Sequence, residues 1–176
     1  TGVQTCALPI SGIKNVCVHK GLFPPGIEKQ YPNLRGFADV ADVGQAAKDW
    51  PQLNFVIYHS AYRHVGGDPR VALAEFERTG RIAWTSDLAD IPAQYGVNNV
   101  YGDVGQLFAT TLVAEPNVCA ALMGTLIKGL GADHVVWGTD ALWTGAPQWQ
   151  IEGLRRLEIP EMMQKKFGYA PLGPAD

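Results

Sequence analysis

Four apolar runs recur along the chain, and each closes on a polar side chain able to do chemistry. Asn15-Val16-Cys17-Val18-His19 ends on His19, the run from Leu53 through Tyr58 ends on His59, Asn99-Val100-Tyr101-Gly102-Asp103 ends on Asp103, and the run from His134 ends on Asp140. The ends fall at 19, 59, 103 and 140, so the intervals are 40, 44 and 37 residues. Near-continuous apolarity over five to seven residues suits parallel strands covered on both faces. Between the runs the periodicity changes to that of helices. Asp39 is placed to cap a helix through Lys48, with Val40, Val43 and Ala47 on one face, and the helix must stop before Pro51. Asp68-Pro69 supplies the first residues of a helix running to Gly80, and Glu115-Pro116 opens another that stops near Gly129 to Gly131. Residues 84 to 95 read as helical or irregular up to Gly96; 152 to 157 is amphipathic, and 161 to 167 forms a last helix.

Strand-helix alternation predicts an α/β fold with a parallel sheet. The repeat is somewhat longer than the ~31 residues per unit of a typical (β/α)8 barrel, and four units make half of one. In such barrels the catalytic groups stand at the C-terminal ends of the strands, where the βα loops share one mouth. His19, His59 and Asp140 are therefore the candidate site. Asp103 reads equally as a cap of the loop behind its strand. His134 lies at the opposite end of its run and reads as structural, and His64, five residues past His59, as solvated.

Imidazole nitrogen and carboxylate oxygen are ligands for Zn²⁺ or a similar divalent ion, which would activate a water. His19 and Asp140 are the expected metal ligands. His59 and Asp140 are the expected catalytic pair, with His59 polarising a carbonyl or carboxylate and Asp140 taking a proton from water. The glycine- and proline-rich segment from Gly21 to about Gly36 reads as a long substrate-facing loop. Phe23, Arg63 and Trp143 are the candidate substrate contacts, Arg63 with Tyr62 toward an acidic group. Trp84 would either join an aromatic pocket or pack in the core.

Composition narrows the class of function. The chain has 176 residues, 47% hydrophobic and 18% charged, which is the balance of a globular protein. A net charge of −3 gives no footprint for nucleic acid or an anionic membrane, so the expected partner is a small-molecule substrate, with a homo-oligomer left open. No apolar run approaches the ~20 residues of a membrane span. Thr1 to Ile10 reads as a translated sequencing adapter, so the native sequence is expected to start near Ser11 within a longer protein, with 11–176 as a partial barrel domain. Setting Cys6 aside, Cys17 and Cys119 lack a C-x-x-C spacing and are expected to be buried thiols in a reducing compartment, the cytoplasm, a leader upstream being left open.

Val18-His19-Lys20-Gly21, Ile57-Tyr58-His59-Ser60-Ala61-Tyr62, Asn99-Val100-Tyr101-Gly102-Asp103 and Val136-Trp137-Gly138-Thr139-Asp140 together resemble the amidohydrolase-related family of metal-dependent hydrolases and decarboxylases. The resemblance runs from about residue 13 to 170 and matches the family's C-terminal half. It implies a TIM barrel, a divalent metal (zinc above all), and either hydrolysis through a metal-activated water or decarboxylation. It also implies that His19 is the strand-five metal ligand, His59 the strand-six catalytic histidine and Asp140 the strand-eight ligand or base. The family's strand-one His-x-His, which supplies two further ligands, occurs nowhere in these residues, so the chain by itself is expected to be inactive. A non-catalytic α/β binding domain is the competing reading.

Overall fold

Short runs of β-branched and aromatic residues become strands when a helix covers one of their faces. In the computed structural model, which describes residues 11–64 and 67–173, these are β1 (Asn15–His19), β2 (Asn54–Tyr58), β3 (Val100–Asp103) and β4 (Val135–Val136). They pair in parallel in the order β1-β2-β3-β4. Parallel neighbours need a crossover through a helix. A sheet whose spatial order follows the chain, without the reversal of a doubly wound fold, is a run of consecutive barrel units. The fold is thus α/β with four βα units in partial-barrel order. Thr1 to Ile10 lies outside the described residues.

The helices are α1 (Pro25–Gln30), α2 (Arg35–Ala38), α3 (Val43–Asp49), α4 (Pro69–Thr79), α5 (Thr85–Tyr95), α6 (Leu107–Ala114), α7 (Pro116–Leu130), α8 (Ala141–Thr144), α9 (Pro147–Arg156) and α10 (Glu161–Phe167). The side chains of Leu53, Phe55, Ile57 and Val100 are buried in one core with Leu88, Ile91, Leu122 and Leu126 from α5 and α7. A Cβ at Gly129 would come closer than 3.0 Å to the Ala89 carbonyl, so glycine there lets α5 and α7 approach. The other face of the sheet carries Cys17, Val56 and Tyr101 in register, exposed or half-buried. Among the described residues no helix is long and apolar enough to cross a membrane.

Several expectations change. The helix predicted from Asp39 begins at Val43, because Asp39 Oδ1 accepts from the Ala41 amide at 3.1 Å and holds a turn there instead. The long loop after β1 contains α1 and α2. Its anchor is Lys20, buried with its Nζ 2.7 Å from Asp42 and 3.0 Å from the Phe37 carbonyl. The fourth strand shortens to two residues: beyond Val136 the chain turns so that Trp137 packs edge-on to Phe108, ring centres 5.3 Å apart. The amphipathic stretch expected at 152 to 157 is the end of α9, which Pro147 starts earlier. The helix α6 shows no amphipathic period because Leu107, Phe108, Ala109 and Thr111 are all buried. His64 is buried rather than solvated, 3.7 Å from Glu75, and burial holds its imidazole below the usual histidine range.

Candidate active site

The ends of the four strands build one hollow of about 320 Å³, lined by His19, Tyr58, His59, Asp103, Gly105, Gly138, Thr139 and Asp140. Past each strand the backbone enters a region that a side chain seldom adopts. Leu22 after β1, His59, Ser60 and Ala61 after β2, Gln106 after β3 and Asp140 after β4 all have φ between 44° and 57°. Left-handed backbone at residues other than glycine carries strain, and apart from Trp84 it falls just past these strand ends.

His59 sits deepest. Its Nδ1 is 2.9 Å from the Gly105 carbonyl, which can only accept, so Nδ1 carries the proton and Nε2 is the free acceptor. His19 lies beside it with ring centres 5.1 Å apart, and Tyr58 is 4.8 Å from His19 edge-on. Asp140 Oδ2 stands 3.9 Å from His59 Nδ1, beyond hydrogen-bond reach but close enough to stabilise an imidazolium. The three strand-end residues thus share one hollow. Trp143 is 81% exposed and lies outside its lining.

Phe23 and Arg63 are also elsewhere. The Arg63 guanidinium pairs with Glu28, its Nε donates to the Phe23 carbonyl at 3.1 Å, and its Cζ lies 5.2 Å over Trp84. Phe23 stacks on Trp84 at 6.1 Å, which resolves Trp84 toward the core. A guanidinium with its donors engaged in this way ties the loop after β1 to the turn after β2.

Asp103 is more central than its position alone indicated. Its Oδ1 accepts from the His59 amide at 3.3 Å and the Gly105 amide at 3.0 Å, and its backbone carbonyl accepts from Ser60 Oγ at 2.8 Å. Burial raises its carboxyl above the ordinary range, the two amide bonds opposing that shift and the Asp140 charge adding to it. The Gly138-Thr139-Asp140 end of β4 has a steric reason. A Cβ at Gly138 would stand 3.1 Å from Asp103 Cγ and closer than 3.0 Å to Oδ2. Glycine there lets the strand pass over the carboxylate.

The hollow contains two carboxylates and two imidazoles, and its lining includes neither lysine nor arginine. Among the described residues no group of three or more His, Cys, Asp or Glu side chains is arranged to hold a metal ion. His19 and Asp140 offer two donors, whereas catalytic zinc takes three protein ligands and a water. The described residues therefore do not fit a complete ion site.

Comparison with known family models found no match. Comparison with curated protein sequences likewise found none. Among solved structures, the chain is similar to the crystal structure of 5-carboxyvanillate decarboxylase LigW from Sphingomonas paucimobilis, at 15% identity and a TM-score of 0.49. The alignment covers 94% of this chain and 52% of that one, so the chain spans about half the length of the structure it matches.

Proposed function

We propose that this chain supplies half of a barrel enzyme of the amidohydrolase-related kind, in which His59 is the proton acceptor and Asp140 its electrostatic partner at the carbonyl or carboxyl carbon of a small organic substrate. The observation carrying this reading is the 2.9 Å contact between His59 Nδ1 and the Gly105 carbonyl. With Nδ1–H donated to the Gly105 carbonyl, Nε2 presents a lone pair beside His19. When Nε2 takes a proton, the carboxylates of Asp140 and Asp103 stabilise the resulting imidazolium, the role an oriented carboxylate plays next to any catalytic histidine. In hydrolysis the same histidine would return that proton to the leaving group; decarboxylation of a carboxylate would instead require His59 to start protonated and to give its proton to the carbanion as CO₂ departs.

A divalent ion would belong to this proposal as a shared ligand set, in which His19 and Asp140 would hold it with two donors and the remaining strands of a full barrel would have to supply the others. The charge of the hollow supports this, since its lining offers no lysine or arginine to a substrate carboxylate or a developing oxyanion.

The test is to express the chain with and without the sequence encoded upstream of it. Bound metal would be measured, together with turnover of simple lactones, esters, amides and aromatic acids, CO₂ release separating the two reactions. The longer protein is expected to bind metal and turn over one class. His59→Asn should lower its kcat by about 10² to 10⁴ without loss of folded protein. Turnover unaffected by His59→Asn would overturn the proposal.

A further inference from the structure

Gln150 is wholly buried in α9, and the function proposed above makes no direct use of it. Its Nε2 donates to Thr144 Oγ1 at 2.9 Å and to the Thr139 carbonyl at 3.3 Å. Thr144 Oγ1 in turn lies 2.6 Å from the Thr139 carbonyl and 3.0 Å from that of Asp140, while the Trp143 and Thr144 amides donate to the Asp140 carbonyl at 2.8 and 3.1 Å. Proton counting fixes the arrangement. The amide has two N–H groups, one for each acceptor, and the hydroxyl accepts one of them and spends its own proton on a carbonyl. Turning the amide over would set Oε1 against the Thr139 carbonyl, two acceptors face to face. As it stands, Oε1 has no hydrogen-bond partner among the described residues. A buried carbonyl left unpaired works against stability, so the amide is explained by what its NH₂ group holds.

What it holds is the backbone on both sides of Asp140, a residue at φ 52° and ψ 40°. We propose that Gln150 is the positioning residue of Asp140. Through Thr144 it clamps the left-handed turn that carries the Asp140 carboxylate over His59. The inference rests on the reading that Asp140 acts in the reaction. The side chain reaches the site only through the Thr139–Thr144 turn, so its effect is on geometry and not on substrate contact.

The test uses Gln150→Leu, Thr144→Val and Thr144→Ser. Leucine keeps most of the volume and removes both donors; valine removes the hydroxyl, and serine retains it. In the full chain, the Asp140 Cα and Cβ NMR shifts report whether the residue stays left-handed. The expected result is loss of that signature in Gln150→Leu and Thr144→Val, and its retention in Thr144→Ser. In the longer protein the first two should lose about tenfold to a hundredfold in kcat, the scale of an ångström's misplacement, with KM within about twofold. An unchanged Asp140 signature in Gln150→Leu would overturn the proposal. Where that variant does not fold, the valine and serine pair decides, and an unchanged signature in Thr144→Val overturns it. Turnover undisturbed in Asp140→Asn would count against the proposed function alone, since the shift pattern judges Gln150 without reference to activity.

Discussion

The contact between Gly138 and Asp103 offers the sharpest check of how β3 and β4 are joined. Gly138→Ala adds one carbon, which would lie 3.1 Å from Asp103 Cγ and nearer still to Oδ2. Either the carboxylate swings away and gives up the His59 and Gly105 amides, or β4 shifts outward. Overpacking of this sort costs about 1–3 kcal/mol. Asp103→Ala, for its part, strands two buried N–H groups at about 1–3 kcal/mol each when no water reaches them, and toward the lower bound here because they border the hollow. In the double variant the added methyl meets no carboxylate, so its stability should fall close to that of Asp103→Ala alone. The coupling energy is then about 1–3 kcal/mol, the whole cost of the alanine at 138. Urea denaturation of the four proteins measures it: at an m-value of about 1–3 kcal/mol per molar, a loss of ~2 kcal/mol moves the midpoint by roughly 1 M. Two costs that add to within about 0.5 kcal/mol, as independent sites do, would refute the contact.

Asp103→Asn should flatten the pH dependence of stability, because one amide oxygen still accepts from both backbone groups while the buried charge is gone. Burial raises the Asp103 carboxyl in the folded chain. Its contribution to stability is therefore full below the unfolded value of ~3.9 and lost as pH rises through the folded pKa. Urea midpoints at a series of pH values from 4 upward would show the difference, and an identical slope in the two proteins would contradict it. Arg63→Ala should cost about 0.5–1.5 kcal/mol by removing the bonds to Glu28 and to the Phe23 carbonyl, Glu28 keeping its pair with Arg35, with KM unchanged; a selective rise in KM for acidic substrates would return Arg63 to the substrate. Trp143→Ala should change stability by no more than about 0.5 kcal/mol, since the indole is 81% exposed, as thermal unfolding would show.

The four strands and their parallel order were readable from the chain alone, as were the residues that stand at the strand ends. Apolar runs, their spacing and the helix-starting prolines are local signals, and a parallel sheet follows from alternation with helices. His19, His59 and Asp140 stand at the ends of such runs, so their meeting in one hollow requires only that the sheet be parallel. What the tertiary structure decided depends on pairs far apart in sequence. Asp103 does cap the loop behind its strand through the Gly105 amide, but nothing near it announces that the His59 amide, from another strand end, would turn to the same Oδ1. Arg63 and Phe23 looked like substrate contacts because their ties to Glu28 and Trp84 span different loops. His64 looked solvated because what covers it lies beyond its own loop, including Glu75 on the next helix, 3.7 Å away. Gln150 could not be singled out at all, since its partners belong to a left-handed turn at Asp140 that α9 meets only when the two pack together. Periodicity reports which face of an element is buried; which polar atoms then meet is settled by register and turn geometry when the elements pack.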